Sequence, residues 1–520
     1  MNIHSPLPCK WAILFSIVCL SSSMFIACTD EPQLPADVTA CQPALEALDV
    51  CPDTHLTLTF SSVPEVGMSG MIRIFDDQTG EVVDSLDLSI PAGPTEPRQY
   101  GSECDYLKEP YDYRRAVMLT NRTCRPGTPS GGAEPTPPDY QLTIIGGFTD
   151  AFHFYPVIVH DTVLVIYPHN NVLDYGRQYR IEIDPDCILV EGKPWQGMRR
   201  WRFRTRQQAP KGRLLSVRQD GTGDFCTVQG ALDHIPDFAQ EDYYVTIAPG
   251  DYEELVYARN KSQLHLQGAG MDTTRVHYAN CEVFNPHPLT LKTNERPGTF
   301  PSRRAAFMLD NCSDVTLQDM TIATDMRGQA EGLLLNGERM LLRAIHIIGS
   351  GDALQANGTL YMEDCELDGG GDTFLGRGAV FAYHCHLRND GGPFTWIRNR
   401  REDGHGDVFV ECDFSTYNGC AVDLGRCPDN HGQGYPDAEQ VLIRCRVDST
   451  IAEGWSAIGQ PTAFFAEYGT LDLRTGQPLD TRHWHRWSHH LKASDPAVSD
   501  YQRPEFVLKG WTPVTNAGGK

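Results

Sequence analysis

Two aspartates, Asp352 in G-D-A-L and Asp372 in G-D-T-F-L-G, each stand directly after a glycine and recur at an interval of 20. Taken singly, an Asp beside Gly is more often a turn residue than a catalytic one. As a pair they carry more information, provided that the chain returns to the same place at that interval. Adjacent strands lie about 4.8 Å apart, so two outward carboxylates at equivalent places would be roughly 5 Å from each other. Like charges at that distance cannot both ionise easily, and the two pKa values should split. One carboxylate is then free to attack an electrophile, while the other keeps a proton to donate.

The elements that would create such a return are visible as a repeat. Aligned on their cores, the segments are M-L-L-R-A-I-H-I, L-Y-M-E-D-C-E-L, V-F-A-Y-H-C-H-L, V-F-V-E-C-D-F and V-L-I-R-C-R-V. Marked at Ala344, Cys365, Cys385, Cys412 and Cys445, they recur at intervals of 21, 20, 27 and 33. Short strands and turns recurring every 20 or so positions are the signature of a β-solenoid, in which each coil adds one rung to a parallel sheet. The four cysteines read as a buried ladder filling small core positions. Disulfides or metal sites among them are the sharper alternative. No CxxC pair or His/Cys cluster has zinc spacing, so no metal is expected.

Around this core the 520 residues divide further. Their 47 glycines and 35 prolines suit a turn-rich, all-β chain. Residues 1–28 read as an export signal, with Lys10 before a short apolar run and F-I-A-C ending at Cys28. That ending resembles a bacterial lipobox, which makes Cys28 a lipidation site and implies a lipid anchor in an outer or cell-surface membrane; an ordinary cleaved signal and secretion is the alternative. Residues 29–54 read as a tether. Residues 55–207 hold about seven short strands of period-two alternation, from L-T-L-T-F to W-R-F-R-T, which suggest a β-sandwich. Gln208 to Gly212 is the linker, and residues 212–516 form the solenoid. Past its opening Gly turn, Thr227 is placed to cap a short helix. Fourteen cysteines follow Cys28. In an oxidising compartment Cys41/Cys51, Cys104/Cys124 and Cys420/Cys427 are plausible pairs.

A net charge of −24 argues against nucleic acid as a partner. It would also repel a fully ionised polyuronate more than one capped as neutral esters, although acidity for solubility is the blander reading.

The ordered series from Val217 resembles the pectin methylesterases, carbohydrate esterase family 8. It runs through G-A-G-M-D-T-T at Gly268, Q-A at Gln329, G-D-A-L, G-D-T-F-L-G, L-G-R at Leu424, E-G-W at Glu453, F-F-A-E-Y at Phe464 and G-W-T-P at Gly510. The resemblance implies a right-handed, single-stranded, pectin-lyase-like parallel β-helix. It makes Asp372 the nucleophile, Asp352 the general acid/base, Arg426 the arginine that holds the nucleophile and faces substrate, and Gln329 one of two oxyanion glutamines. It implies methyl-ester hydrolysis on homogalacturonan by a monomer with no cofactor. The N-terminal strands resemble bacterial Ig-like modules. Two departures stand out: Gly351 replaces the second glutamine, and L-G-R continues as C-P, without the Trp that lines the sugar cleft. Trp396 or Trp455 would have to take that place. An esterase of this fold acting on another ester, or a binding β-helix without turnover, are the competing expectations. A pectate lyase would need clustered acidic Ca²⁺ ligands and a basic proton acceptor, and no such arrangement is apparent.

Overall fold

The computed structural model describes residues 33–95, 140–147, 152–285, 303–426, 428–430, 433–451, 453–456, 458–460 and 462–513. The export segment with Cys28, the loop at 124–139, and Cys104, Cys124 and Cys427 lie outside these.

Period-two alternation builds the N-terminal unit. L-T-L-T-F buries Leu56, Leu58 and Phe60, and M-I-R-I-F-D buries Ile72 and Ile74. Leu56–Phe60 pairs with Val38–Gln42 and Val163–Ile166 in one sheet; Met71–Asp76 pairs with Val82–Asp87 and Gln178–Ile183 in another. Both sheets point their apolar residues into one core around Tyr179, Ile181, Trp201 and Phe203, which makes the unit a β-sandwich. It begins earlier than the sequence suggests. Val38–Gln42 and Ala47–Val50 are strands within the stretch read as a tether. Of V-T-A-C-Q only Val38 is buried, so the strand rests on backbone pairing and leaves no apolar alternation to read.

From Leu214 the chain winds through one long sheet of parallel strand pairings, with three faces per coil; among the described residues, antiparallel contacts are confined to the short pair Asp429–Asn430/Gln433–Gly434 and to isolated bridges in the links. The first face contains Ser262–Gln267, 315–318, 340–343, 360–363, Ala379–Tyr383, Asp407–Val410 and Glu439–Ile443. The second contains 320–323, 345–348, Glu366–Gly369 and His386–Asn389. The third contains 307–310, 333–336, 354–356, Phe374–Gly376 and Thr395–Ile397. This is a parallel β-helix. Inside it, Leu266, Leu317, Leu342, Met362, Ala382, Phe409 and Leu442 pair in succession along the axis, all in one core. The large Phe409 follows the small Ala382, so the rungs interdigitate.

From the coil of 315–318 onward, one residue turns each of six successive coils from the first face to the second. Asp319, Ala344, Asp364, His384, Glu411 and Arg444 all have φ between 48° and 58°. A left-handed non-glycine residue is uncommon, and a stack of six marks a corner built by backbone geometry rather than residue type. The corner also corrects the repeat. Ala344 is the corner itself, and Ile345 is the equivalent of Cys365, Cys385, Cys412 and Cys445. These residues point inward, and the thiols of Cys365, Cys385 and Cys412 each donate to the carbonyl two residues back, at 3.3–3.4 Å. Their polar hydrogens are thereby satisfied inside an apolar core.

Helix Val228–His234 covers the start of the solenoid, and the Thr227 hydroxyl accepts from Gly230 N as the sequence indicates. The sandwich docks on this end. Asp53 Oδ2 accepts from Cys226 N, Thr227 N and Thr227 Oγ1 at 2.8–2.9 Å, and Asn170 and Asn171 both donate to Asp233 Oδ2 at 2.8 Å. Near the other end, Pro496–Asp500 and Pro504–Val507 lie over the outer side of the first face, with Tyr501, Val507 and Leu508 against Phe381, Val408 and Val441.

Candidate active site

Asp352 and Asp372 lie on the links from the second face to the third in adjacent coils. Leu354 pairs with Phe374 and Ala353 N donates to Thr373 O, so the two aspartates hold equivalent places one rung apart. The intervening backbone is tied by Gly370 N and Gly371 N, which both donate to Gly351 O at 2.9 and 3.0 Å.

Arg426 reaches Asp372 from two coils further on. Thr395 bridges Gly425, which sets Arg426 over Trp396. From there Nε lies 2.8 and 3.0 Å from the two carboxylate oxygens and Nη2 lies 2.6 Å from Oδ2. This forked pairing fixes the plane of the carboxylate as well as its position. The guanidinium of Arg426 lies 3.5 Å from the Trp396 ring centre, and that of Arg398 also lies 3.5 Å away. Two groups so close cannot share a face, so they clamp the indole between them. Arg398 is buried, and burial followed by the Arg377 charge pulls it down to about 9.

Asp352 is 7% exposed. Burial pushes its pKa up to about 7; the Glu331 and Asp372 carboxylates add to the rise, and Arg304 and Arg398 oppose it. Asp352 is thus the carboxyl of the pair that holds its proton to higher pH than an ordinary aspartate, chiefly because it is buried. Two residues that the sequence reading did not single out hold it. Arg304 Nη2 donates to Asp352 Oδ2 at 2.7 Å, and Arg304 also forks onto Glu331, at 2.6–3.0 Å. Glu331 is fully buried. The signal was there: a Glu inside the apolar run Q-A-E-G-L-L-L, with an Arg about one coil earlier.

Gln329 is exposed at the same edge. Ala330 and Ser350 exchange backbone hydrogen bonds at 3.0 and 2.9 Å, which sets Gln329 across from Gly351. Trp455 lies elsewhere. It is 0% exposed, its indole N–H donates to Gln440 Oε1, and it packs edge-on against Phe465 and Trp484. It is a core residue and cannot line a cleft, a distinction that E-G-W alone does not reveal. Trp455→Ala is accordingly expected to cost about 3–5 kcal/mol of stability, measured by denaturant unfolding.

Residues 215–396 match the protein family described as Pectinesterase. This stretch of the solenoid is similar to the pectinesterase family. Among relatives, the chain is 24% identical over 274 residues to probable pectinesterase 8 of Arabidopsis thaliana, covering 49% of this chain and 66% of that one. It is 25% identical over 162 residues to pectinesterase 31 of the same plant, covering 30% and 50%. The chain thus spans half to about two thirds of the length of these relatives. Among solved structures it is similar to pectin methylesterase from carrot, with 16% identity, TM-score 0.48, and 58% and 95% of the two chains covered. It is also similar to pectin methylesterase PemA from Erwinia chrysanthemi, with 18% identity, TM-score 0.46, and 59% and 99% covered.

Two features of the solenoid bear on the departures noted in its sequence. Gly351 has φ +84°, a conformation in which any L side chain is strained, so the backbone favours glycine where a glutamine would otherwise stand. Trp396 has both faces covered by guanidinium groups and presents only its edge. Among the described residues, two groups with metal-ligand spacing lie away from the aspartates: Cys51, Asp53 and Cys226; and Glu253, His277 and Asp325. Each draws on distant segments, so local sequence spacing could not reveal it.

Proposed function

We propose that the chain hydrolyses methyl esters of polygalacturonate through an aspartyl acyl-enzyme. The observation that carries this reading is the asymmetry of the pair: Asp372 forked by Arg426, and Asp352 pushed up to about 7 on the adjacent coil. Asp372 attacks the C6 carbonyl, and the Gln329 amide donates to the oxyanion. Asp352 gives its proton to the methanol oxygen as the C–O bond breaks. It then takes a proton from water, which attacks the acyl-enzyme and releases Asp372 as carboxylate and the uronate as product. Arg304, anchored on Glu331, orients Asp352 throughout. These steps call on no metal or cofactor. The export segment would deliver the enzyme to a membrane surface through Cys28.

A second reading is favoured by Gly351 and by the clamped Trp396: the same chemistry on a different ester. Methanol release from highly methylated pectin decides between them. Release supports pectin as substrate; hydrolysis of other esters without it supports the second reading; inactivity on every ester rejects both.

The protonation of Asp352 has a consequence for stability. An unfolded Asp ionises near about 3.9, below the value in the folded chain. Between those two values the folded chain holds a proton that the unfolded chain has lost. Stability therefore falls as pH rises through that window and levels off above it. Asp352→Asn removes this dependence. The variant should melt higher than wild type at about pH 8 and show no such gain at about pH 4, read by thermal unfolding.

A further inference from the structure

Cys51 and Cys226 belong to different units and stand far apart in the sequence, yet with Asp53 their ligand atoms all lie within 4.8 Å of one another. Both are buried, and neither is bonded to another cysteine. The expected partner of Cys51, Cys41, is likewise unbonded. We propose that Cys51 and Cys226 form a disulfide that locks the sandwich onto the first coil of the solenoid. The two sulfurs lie within 4.8 Å of each other, so the bond requires them to close on one another by less than about 3 Å. The ladder cysteines differ: they stack on parallel rungs, and their thiols rest on carbonyls of their own strands.

The surroundings favour a neutral bridge over a metal. Cys51 Sγ faces the carbonyl oxygens of Gly221, Gly223 and Asp224, each at 3.8 Å, with the Asp53 carboxylate alongside. A metal would require two thiolates beside that carboxylate and those carbonyls. A disulfide adds no charge. Asp53 Oδ2 is already engaged by three donors from Cys226 and Thr227, which holds the two backbones together whether or not the sulfurs are joined. The oxidant is a low-molecular-weight or protein disulfide. One thiol, as thiolate, displaces one sulfur of that disulfide to give a mixed disulfide; the second thiolate displaces the other. Two thiols of the oxidant leave with the two protons.

The test uses the full chain, incubated with oxidised glutathione, unfolded in the presence of iodoacetamide and digested with trypsin without reductant. Residues 219–259 should appear joined to the peptide ending at Arg73, which contains both Cys41 and Cys51. Cys41→Ser should keep the link and Cys51→Ser abolish it. Trypsin cleavage at Lys211 should leave the two halves migrating as one species until reductant is added. The proposal is overturned if Cys226 is recovered alkylated, if its link is lost in Cys41→Ser, if it is joined to another cysteine, or if one equivalent of zinc copurifies with both thiols free.

Discussion

Asp372→Asn is expected to lower methanol release from methylated pectin by at least about 10⁴-fold with little change in thermal unfolding. The carboxylate is asked to form the covalent bond, and the amide of asparagine is too weak a nucleophile to replace it. Asparagine has the same shape and keeps one oxygen for Arg426, so the clamp around Trp396 survives. Arg426 is 40% exposed, and a pair so open to water contributes little to folding. Loss of activity without loss of fold is therefore the predicted signature. A variant retaining more than about a hundredth of wild-type activity, a loss far smaller than removal of a nucleophile brings, would remove Asp372 from that role. Trapping supplies a second readout: an intact enzyme quenched in acid should carry a galacturonyl adduct on the peptide containing Asp372.

The second large effect concerns the charges behind Asp352. Glu331→Gln removes a carboxylate that raises the Asp352 pKa and leaves Arg304 to act on Asp352 alone. The Asp352 value should fall. Because catalysis needs Asp352 protonated in its first step, the alkaline limb of the pH–rate profile should move down by about one pH unit. Arg304→Met acts in the opposite direction, removing an influence that lowers Asp352, so the limb should move up. It also leaves Glu331 buried without its partner, at a cost of about 3–5 kcal/mol. Opposite shifts from the two halves of one ion pair are not what a purely structural pair would give. If both variants lose stability while the limb stays in place, Asp352 is not the acid.

Much of this architecture is legible in the amino-acid sequence. Asp352 and Asp372 stood one coil apart in a chain whose inward positions repeat at nearly the same interval, and a parallel β-helix turns that interval directly into adjacency. The exact register was harder. Ala344 looks like a small core residue because its type fits one, while its left-handed backbone makes it a corner, and conformation of that kind leaves no mark in residue type. Trp396 and Trp455 were indistinguishable by sequence, since Trp396 stands on a strand of three residues and Trp455 in a link without strand, too short a context to show which side of the coil each faces. Arg304 and Glu331 escaped because their pairing spans a whole coil and neither sits in a motif. The meeting of Cys51 and Cys226 depends on how two units dock, which no periodicity within either one encodes.

The stacked corners also decide where this architecture can tolerate insertions. Between the first and second faces six successive coils, from Asp319 to Arg444, spend a single left-handed residue, so an added residue there would break the alignment of neighbouring corners, whereas the earlier coil of Ser262–Gln267 spends residues 268–273. The other two links vary freely: residues 377–378 return one coil to the first face, whereas residues 398–406 serve the next. The interval of 27 between Cys385 and Cys412 therefore records chiefly a loop grown at 398–406, between the third face and the first. Substrate range can drift or be engineered there by exchanging whole loops, while the carboxylate pair keeps its rung spacing.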